Sequence, residues 1–365
     1  MQTRSAALAL FVLALLAVDR APTFAGEPTS RVKTVRVPGA EKVVRAARAA
    51  DGTIHVLFDS SDGPKYAAST DGGATFGAAI AIVDAASTKP GLVYSGEDLV
   101  LGKGGRVHVA LSTNAWKLKL PKEQWGLHYA SLAPGAKTFT ALRNITKKPC
   151  EGFSLAADDR GDVTACFLCD KLFVMTSHDE GQTFGAAAEL DTSWNPCNCC
   201  TTSATYGADG RLALLYREET KNERDMYVVL WDQRAGTKSR ARVSGESWKI
   251  DSCPMTYFTV APTPTGYTAA WPTKGAVYFA RLDKNGAAVA PGEIKTPGTS
   301  GMRTGVLTLS AADGGVLVAW KDKDVLGWQI YDAAGKPGGD AASAPSKGGG
   351  AAGVALPDGT FVLFP

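Results

Sequence analysis

Four of the seven cysteines in this 365-residue chain form a pattern able to do chemistry. Cys197, Cys199 and Cys200 fall within the tetrapeptide CNCC, and Cys253 follows beside Met255. Sulfur-rich ligation suits copper(I) or zinc, so the set reads as a metal site. In an exported protein the same residues ordinarily become disulfides, with Cys253 bonded to Cys199 or Cys200. Cys150, Cys166 and Cys169 could supply another bridge. Redox work by unpaired thiols is the third use. The spacing is not the doubled C-x-x-C of common zinc sites, and all three readings stay open.

Charged and aromatic residues follow close behind in the chain. The stretch from Arg217 to Asp225 contains Arg217, Glu218, Glu219, Lys221, Glu223, Arg224 and Asp225. Carboxylates there could do acid–base work on a glycan, or the stretch is a solvated hairpin tip with Arg224 paired to Asp225. Trp116, Trp125, Trp194 and Trp248 could stack on sugar rings or plug gaps between packed elements. The four histidines are scattered without ligand spacing.

What carries these residues is an exported chain. Met1 to Ala25 reads as a signal peptide: Arg4 supplies the positive start, Ala6 to Val18 is apolar, and Thr23-Phe24-Ala25 offers a cleavage site. The apolar run is too short to span a bilayer, so the mature protein, residues 26–365, is expected as a single domain in the periplasm or outside the cell. Removing 1–25 takes away Arg4, Asp19 and Arg20 and leaves 37 basic against 35 acidic residues. That balance gives no reason to expect a nucleic-acid partner. A monomer is the default.

One repeat sets the fold. A Gly-containing turn leads into an alternating apolar strand at Gly52, Gly105, Gly161, Gly210, Gly266, Gly314 and Gly359, at intervals of 45 to 56 residues. Asp-Gly turns tolerate positive φ between paired strands, and this period is that of a β-propeller. A second strand pair follows each of the first six turns. The expectation is therefore an all-β propeller of four-stranded antiparallel blades, seven by this count. The strand at Arg31 to Val37 would complete the last blade and close the ring, which removes exposed sheet edges.

Propeller connectivity sorts the loops. With strands named A to D from the channel outward, B–C and D–A loops share one face. Cys150, Cys169, Cys197, Cys199, Cys200 and Cys253 then lie on or beside that face, with the four loop tryptophans.

Two C–D turns carry a sharper signature, S-x-D-x-G-x-T-F. They are Ser69, Asp71, Gly73, Thr75 and Phe76, and Ser177, Asp179, Gly181, Thr183 and Phe184. The pattern resembles the Asp box of sialidases and related BNR-repeat propellers, and Ser131 to Phe139 looks like a degenerate third copy. These are structural staples. Sialidases have six blades, the alternative to the count of seven. The resemblance implies an exo-alpha-sialidase-type glycoside hydrolase with three carboxylate-binding arginines, a Tyr nucleophile assisted by Glu, and an Asp acid/base. Arg45 falls where one arginine is expected, Asp62 near the acid/base position, and Arg217 and Arg224 beside the place of another arginine. The nucleophile position falls on Gly350, which cannot attack, so the usual hydrolysis is not expected. CNCC, Tyr216-Arg217, Arg224-Asp225-Met226-Tyr227 and Cys253-Pro254-Met255 look closer to uncharacterised bacterial secreted propellers that carry a sialidase label.

These readings converge on a protein that binds a glycan or other acidic ligand at its Cys/Arg/Trp face. Arg45, Trp194, Trp248 and Asp225 would be ligand-binding, and Asp62, Arg217 and Arg224 the candidate catalytic groups. An exo-glycosidase with rearranged groups, and a metal- or redox-active propeller built on Cys197, Cys199, Cys200 and Cys253, are the alternatives.

Overall fold

The computed structural model describes residues 31–84 and 88–365. The expected signal peptide lies outside them. Among the described residues no helix is long and apolar enough to cross a membrane.

Seven sheets form a ring of seven blades, six with four strands and the last with three. The innermost strands are Lys42–Arg48, Tyr94–Leu101, Glu151–Ala157, Ser203–Tyr206, Thr259–Thr263, Val306–Ser310 and Gly353–Ala355. Each packs against the next, and Gly353–Ala355 returns to Lys42–Arg48, so the ring is closed. Within the first six blades every pairing is antiparallel. The core is a series of apolar layers between neighbouring blades, as at Phe58 and Phe364 between blades one and seven.

The predicted turns appear between strands A and B. Six of the seven turn glycines hold positive φ, from 78° at Gly210 to 101° at Gly161. Gly266 is the exception, and its lack of a side chain serves a close approach: a Cβ there would sit 2.1 Å from the Leu282 carbonyl oxygen. The aspartates of these turns accept from the backbone N–H two residues ahead, Asp51 from Thr53 at 2.9 Å and Asp209 from Arg211 at 3.0 Å. Such local bonds nucleate a turn before any distant contact forms.

The two S-x-D-x-G-x-T-F turns repeat one geometry. Asp71 accepts from the Thr75 N–H at 2.9 Å and the Thr75 hydroxyl at 2.6 Å, and Asp179 does the same with Thr183 at 2.8 and 2.6 Å. Each Phe packs edge-on against the preceding blade: Phe76 on Phe364, 6.1 Å between centroids, and Phe184 on Tyr129, 5.0 Å. They fasten neighbouring blades.

Ring closure uses both chain ends with one difference from expectation. Val32–Thr34 pairs directly with Phe361–Leu363, and the pairing is parallel. The direction follows from connectivity. This strand must feed strand A of the first blade, so it runs as an outermost strand would; among the described residues the last blade has three strands, and this one lies against strand B and is parallel to it. Arg31 fastens the seam, donating to the Gly359 carbonyl at 2.8 and 3.0 Å and pairing with Asp313 at 3.0 Å.

Candidate functional site

The site is built on blade four. Its strands B and C are Leu212–Arg217 and Met226–Asp232, so residues 218–225 form a B–C hairpin. Two D–A loops flank that hairpin and pair with it. On one side the Cys197 N–H donates to the Arg217 carbonyl at 2.8 Å, and Glu219 N–H to Asn195 at 2.6 Å. On the other, Arg224 N–H donates to Trp248 at 2.8 Å and Ile250 N–H to Asn222 at 2.9 Å. The first loop carries CNCC and the second carries Cys253. Backbone pairing thus holds four cysteines from two loops around one hairpin.

Cys199 and Cys253 form a disulfide, with 6.3 Å between their Cα atoms. Cys197 Sγ sits behind it, 3.5 Å from Cys199 Sγ and 3.2 Å from Cys200 Sγ. Cys197 and Cys200 share a turn, since Cys200 N–H donates to the Cys197 carbonyl at 3.0 Å. Both thiols are buried in the apolar layer between blades four and five, with Met226, Phe258 and Trp271, whereas Cys199 and Cys253 are half-buried. The pair holds its protons unevenly. A hydrogen bond from Cys197 draws the Cys200 thiol below its ordinary value, helped by the Arg217 charge and by Thr256, while the same bond and burial push Cys197 up.

Two arginines serve this sulfur cluster. Arg224 donates from Nη1 to Cys197 Sγ at 2.9 Å. Arg217 is 1% exposed, lies 5.1 Å over the Trp248 ring, and donates to the carbonyls of Arg224 and Pro272 at 2.6 and 2.5 Å. Its Nε has no partner, and it makes no ion pair among the described residues. Burial lowers its pKa, and the groups that most favour its charge are Cys200 and Cys197.

The acids and rings beside the cluster are engaged in packing. Glu218 accepts from the Tyr216 hydroxyl at 2.9 Å and pairs with Arg240 at 2.7 Å. Asp225 pairs with Arg242 at 3.0 Å and accepts from the Trp248 N–H at 3.3 Å, so its partner is not Arg224. Trp194 is buried, stacked at 6.1 Å on Tyr216 and beneath Arg240, with no face open to a sugar. Trp248 is half-buried.

The remaining candidates lie elsewhere. Arg45 is on strand A of blade one, bonded through Nε to Asp98 at 2.6 Å, and Asp98 also accepts from Leu155 N–H at 2.8 Å. That chain fastens three blades, and the Asp98 charge raises the Arg45 pKa. Asp62 is at the exposed B–C turn of blade one, paired with Lys65 at 2.7 Å; hydrogen bonds from Lys65 and Ser61 lower its pKa, opposite to what a general acid needs. Cys150 lies beside Cys169, and burial together with that neighbour pushes its thiol up to about 12.

Sequence reasoning missed the close pairing of Cys197 with Cys200, although the two stand at C-x-x-C spacing inside CNCC. It also missed Thr256, whose hydroxyl is 3.6 Å from Cys200 Sγ and which no motif marks.

No family model matches the chain, and no curated protein matches it. Among solved structures it is similar to a chain of the mitotic checkpoint complex: TM-score 0.55, 13% identity, covering 96% of this chain and 94% of that one. It is also similar to the WD40 domain of Toxoplasma gondii coronin: TM-score 0.52, 14% identity, covering 88% and 76%. Puromycin hydrolase gives a TM-score of 0.51 at 14% identity, covering 88% of this chain and 50% of that one. At these identities the likeness is one of fold.

Proposed function

We propose that this protein is an exported propeller whose working centre is the four-cysteine, two-arginine cluster, and that it performs thiol–disulfide exchange. The observation that carries the reading is the Cys197 thiol 3.5 Å from one sulfur of the Cys199–Cys253 bond, with Cys200 a further 3.2 Å behind it. Cys197 passes its proton along their hydrogen bond to Cys200, the thiol that is drawn down, and the resulting Cys197 thiolate attacks Cys199 Sγ. A Cys197–Cys199 bond forms, the Cys199–Cys253 bond breaks, and the electron pair leaves on Cys253, which takes a proton from solvent. Cys200, deprotonated in turn, attacks Cys197 Sγ and releases Cys199. The net change moves the disulfide from the half-buried pair to the buried pair. Cys199 and Cys253 then stand as a dithiol able to reduce an external disulfide. An external dithiol resets Cys197 and Cys200 by reducing their bond.

The expected acidic ligand has weaker support. Arg217 and Arg224 turn their donors inward, to carbonyls and to sulfur, leaving no paired clamp for a carboxylate. The two S-x-D-x-G-x-T-F turns support kinship with sialidase-type propellers, and a disulfide fits an oxidising compartment.

Peptide mapping after equilibration across a series of dithiol and disulfide buffers tests the exchange. The expected result is a population with Cys197–Cys200 bonded and Cys199 and Cys253 free. Cys197→Ser should abolish it and slow exchange with a small dithiol by about tenfold or more. Finding only Cys199–Cys253 at every poise, with Cys197→Ser exchanging as fast as the parent, overturns the reading.

A further inference from the structure

The geometry points to a second state of these sulfurs: with the Cys199–Cys253 bond opened by an external dithiol, Cys197, Cys199, Cys200 and Cys253 bind one thiophilic closed-shell cation, Zn(II) or Cu(I). The inference rests on the centre proposed above but not on exchange within it, because a chemical reductant opens the bond as well. On opening, the disulfide takes two electrons and two protons from the dithiol, which closes to its own disulfide. Each thiol that becomes a ligand gives its proton to solvent.

Three observations carry it. First, three of the four sulfurs are already within ligand spacing, and the fourth adjoins one of them. Cys197, Cys199 and Cys253 have Sγ atoms within 4.8 Å of one another, and Cys200 Sγ is 3.2 Å from Cys197. Metal–sulfur bonds of about 2.3 Å in a tetrahedron place sulfurs about 3.8 Å apart, so small side-chain rotations reach a binding set.

Second, the charge around the cluster fits a loaded centre better than an oxidised one. Four thiolates around Zn(II), or three around Cu(I), carry two net negative charges. Arg217 and Arg224 supply two positive ones. Arg217 is buried with no ion pair of its own, since the nearby Asp225 is engaged by Arg242, and has an Nε donor unspent, an arrangement that is costly unless a further anion stands close. The disulfide with two thiols offers at most a partial answer. Arg224, already donating to Cys197 Sγ at 2.9 Å, would orient a metal-bound thiolate in the same way.

Third, the surroundings suit a soft ion. Cys197 and Cys200 lie in the apolar layer of Met226, Phe258 and Trp271, which keeps water from competing for coordination on that side of the ion. The four ligands come from two D–A loops that the blade-four hairpin already holds in register, so binding demands little ordering.

The test uses the full mature chain, reduced with a phosphine under argon and freed of metal. Zn(II) and Cu(I) are added in separate titrations, and retained metal is counted after gel filtration. About one equivalent of at least one ion should remain, falling at least tenfold in Cys197→Ser and in Cys253→Ser. Oxidised protein should retain none. Retention in the Cys150→Ser/Cys169→Ser double variant should match the parent, and bound metal should shield cluster cysteines, all four with Zn(II) or at least three with Cu(I), and not Cys150 or Cys169, from alkylation. The wild-type titration is decisive even if a variant misfolds: no retention of either ion by folded reduced protein overturns the proposal, as does shielding outside the four cysteines. Failure here with the Cys197–Cys200 bond still found in the mapping experiment removes the metal and leaves exchange standing. The opposite pair of results does the reverse.

Discussion

The two faces of the ring spend their polar groups differently. On the turn face, Asp71 and Asp179 are satisfied by residues within four positions of themselves, and those bonds draw each carboxyl down to about 2. On the sulfur face, Arg217 meets Pro272, Arg224 meets Cys197, and Cys199 meets Cys253. The first arrangement is complete in itself and makes rigid corners. The second assembles only when two loops and blades four and five pack together, and it leaves two unbridged thiols and an unspent guanidinium donor in the interior. Position adds to the contrast. The disulfide joins blades that already share an apolar layer and a short connection, whereas the seam between the last and first blades, where the chain ends meet, has hydrogen bonds and an ion pair. The covalent tie is thus not what holds the ring shut.

The largest expected effect breaks the sulfur side. Cys253→Ser opens a loop of 54 residues, for which chain entropy gives a loss of about 4 kcal/mol in urea unfolding. The same protein sharpens the exchange reading: its freed Cys199 should be found bonded to Cys197, 3.5 Å away in the parent. That short replacement loop restores little stability. A free Cys199 in peptide maps of the oxidised variant would count against Cys197 as nucleophile.

The turn side should fail by a steric route. A Cβ at Gly181 would stand 1.7 Å from the Tyr129 hydroxyl, on a backbone with φ of 79°. Gly181→Ala is expected to cost about 3 kcal/mol, combining the left-handed penalty with displacement of a buried ring. Gly104→Ala is the control, since Gly104 has φ of 64° but nothing within 4 Å of its would-be Cβ, and about 1 kcal/mol is expected. Equal losses in the two would mean that the packing of the turn on the preceding blade contributes nothing.

The same division decides what was legible in the sequence. Glycine turns and S-x-D-x-G-x-T-F segments are local, so their spacing revealed seven blades, strand order and the face on which the cysteines meet. Partner choice across the ring was not legible. The sequence placed Cys253 near CNCC but left Cys199 and Cys200 equal as partners, because loop proximity does not say which sulfur points outward. It grouped Arg217, Arg224 and Asp225 as neighbours, yet the backbone turns Asp225 toward Arg242 and Arg224 toward sulfur. Trp194 reads equally as a stacking platform or as a plug between elements, and packing against Tyr216 makes it the plug. The sequence placed the seam strand in the last blade, but its parallel pairing directly against strand B was not legible there.

The smallest expected effect is electrostatic, and it tests whether the turn aspartates act through charge. Their folded pKa values lie below the unfolded value of about 3.9, so their contribution is fully present above that value and is lost as pH falls through about 2. Both carboxylates are open to solvent, and the stabilisation is correspondingly modest. An Asp71→Asn/Asp179→Asn double variant should melt slightly below the parent at pH 7, with the gap narrowing steadily between pH 4 and pH 2. Melting curves across that range check it. A gap that stays constant to pH 2 would assign the role to hydrogen-bond geometry alone, since the amide oxygen can still accept from Thr75 and Thr183, and the local bonds of this face would owe nothing to ionisation.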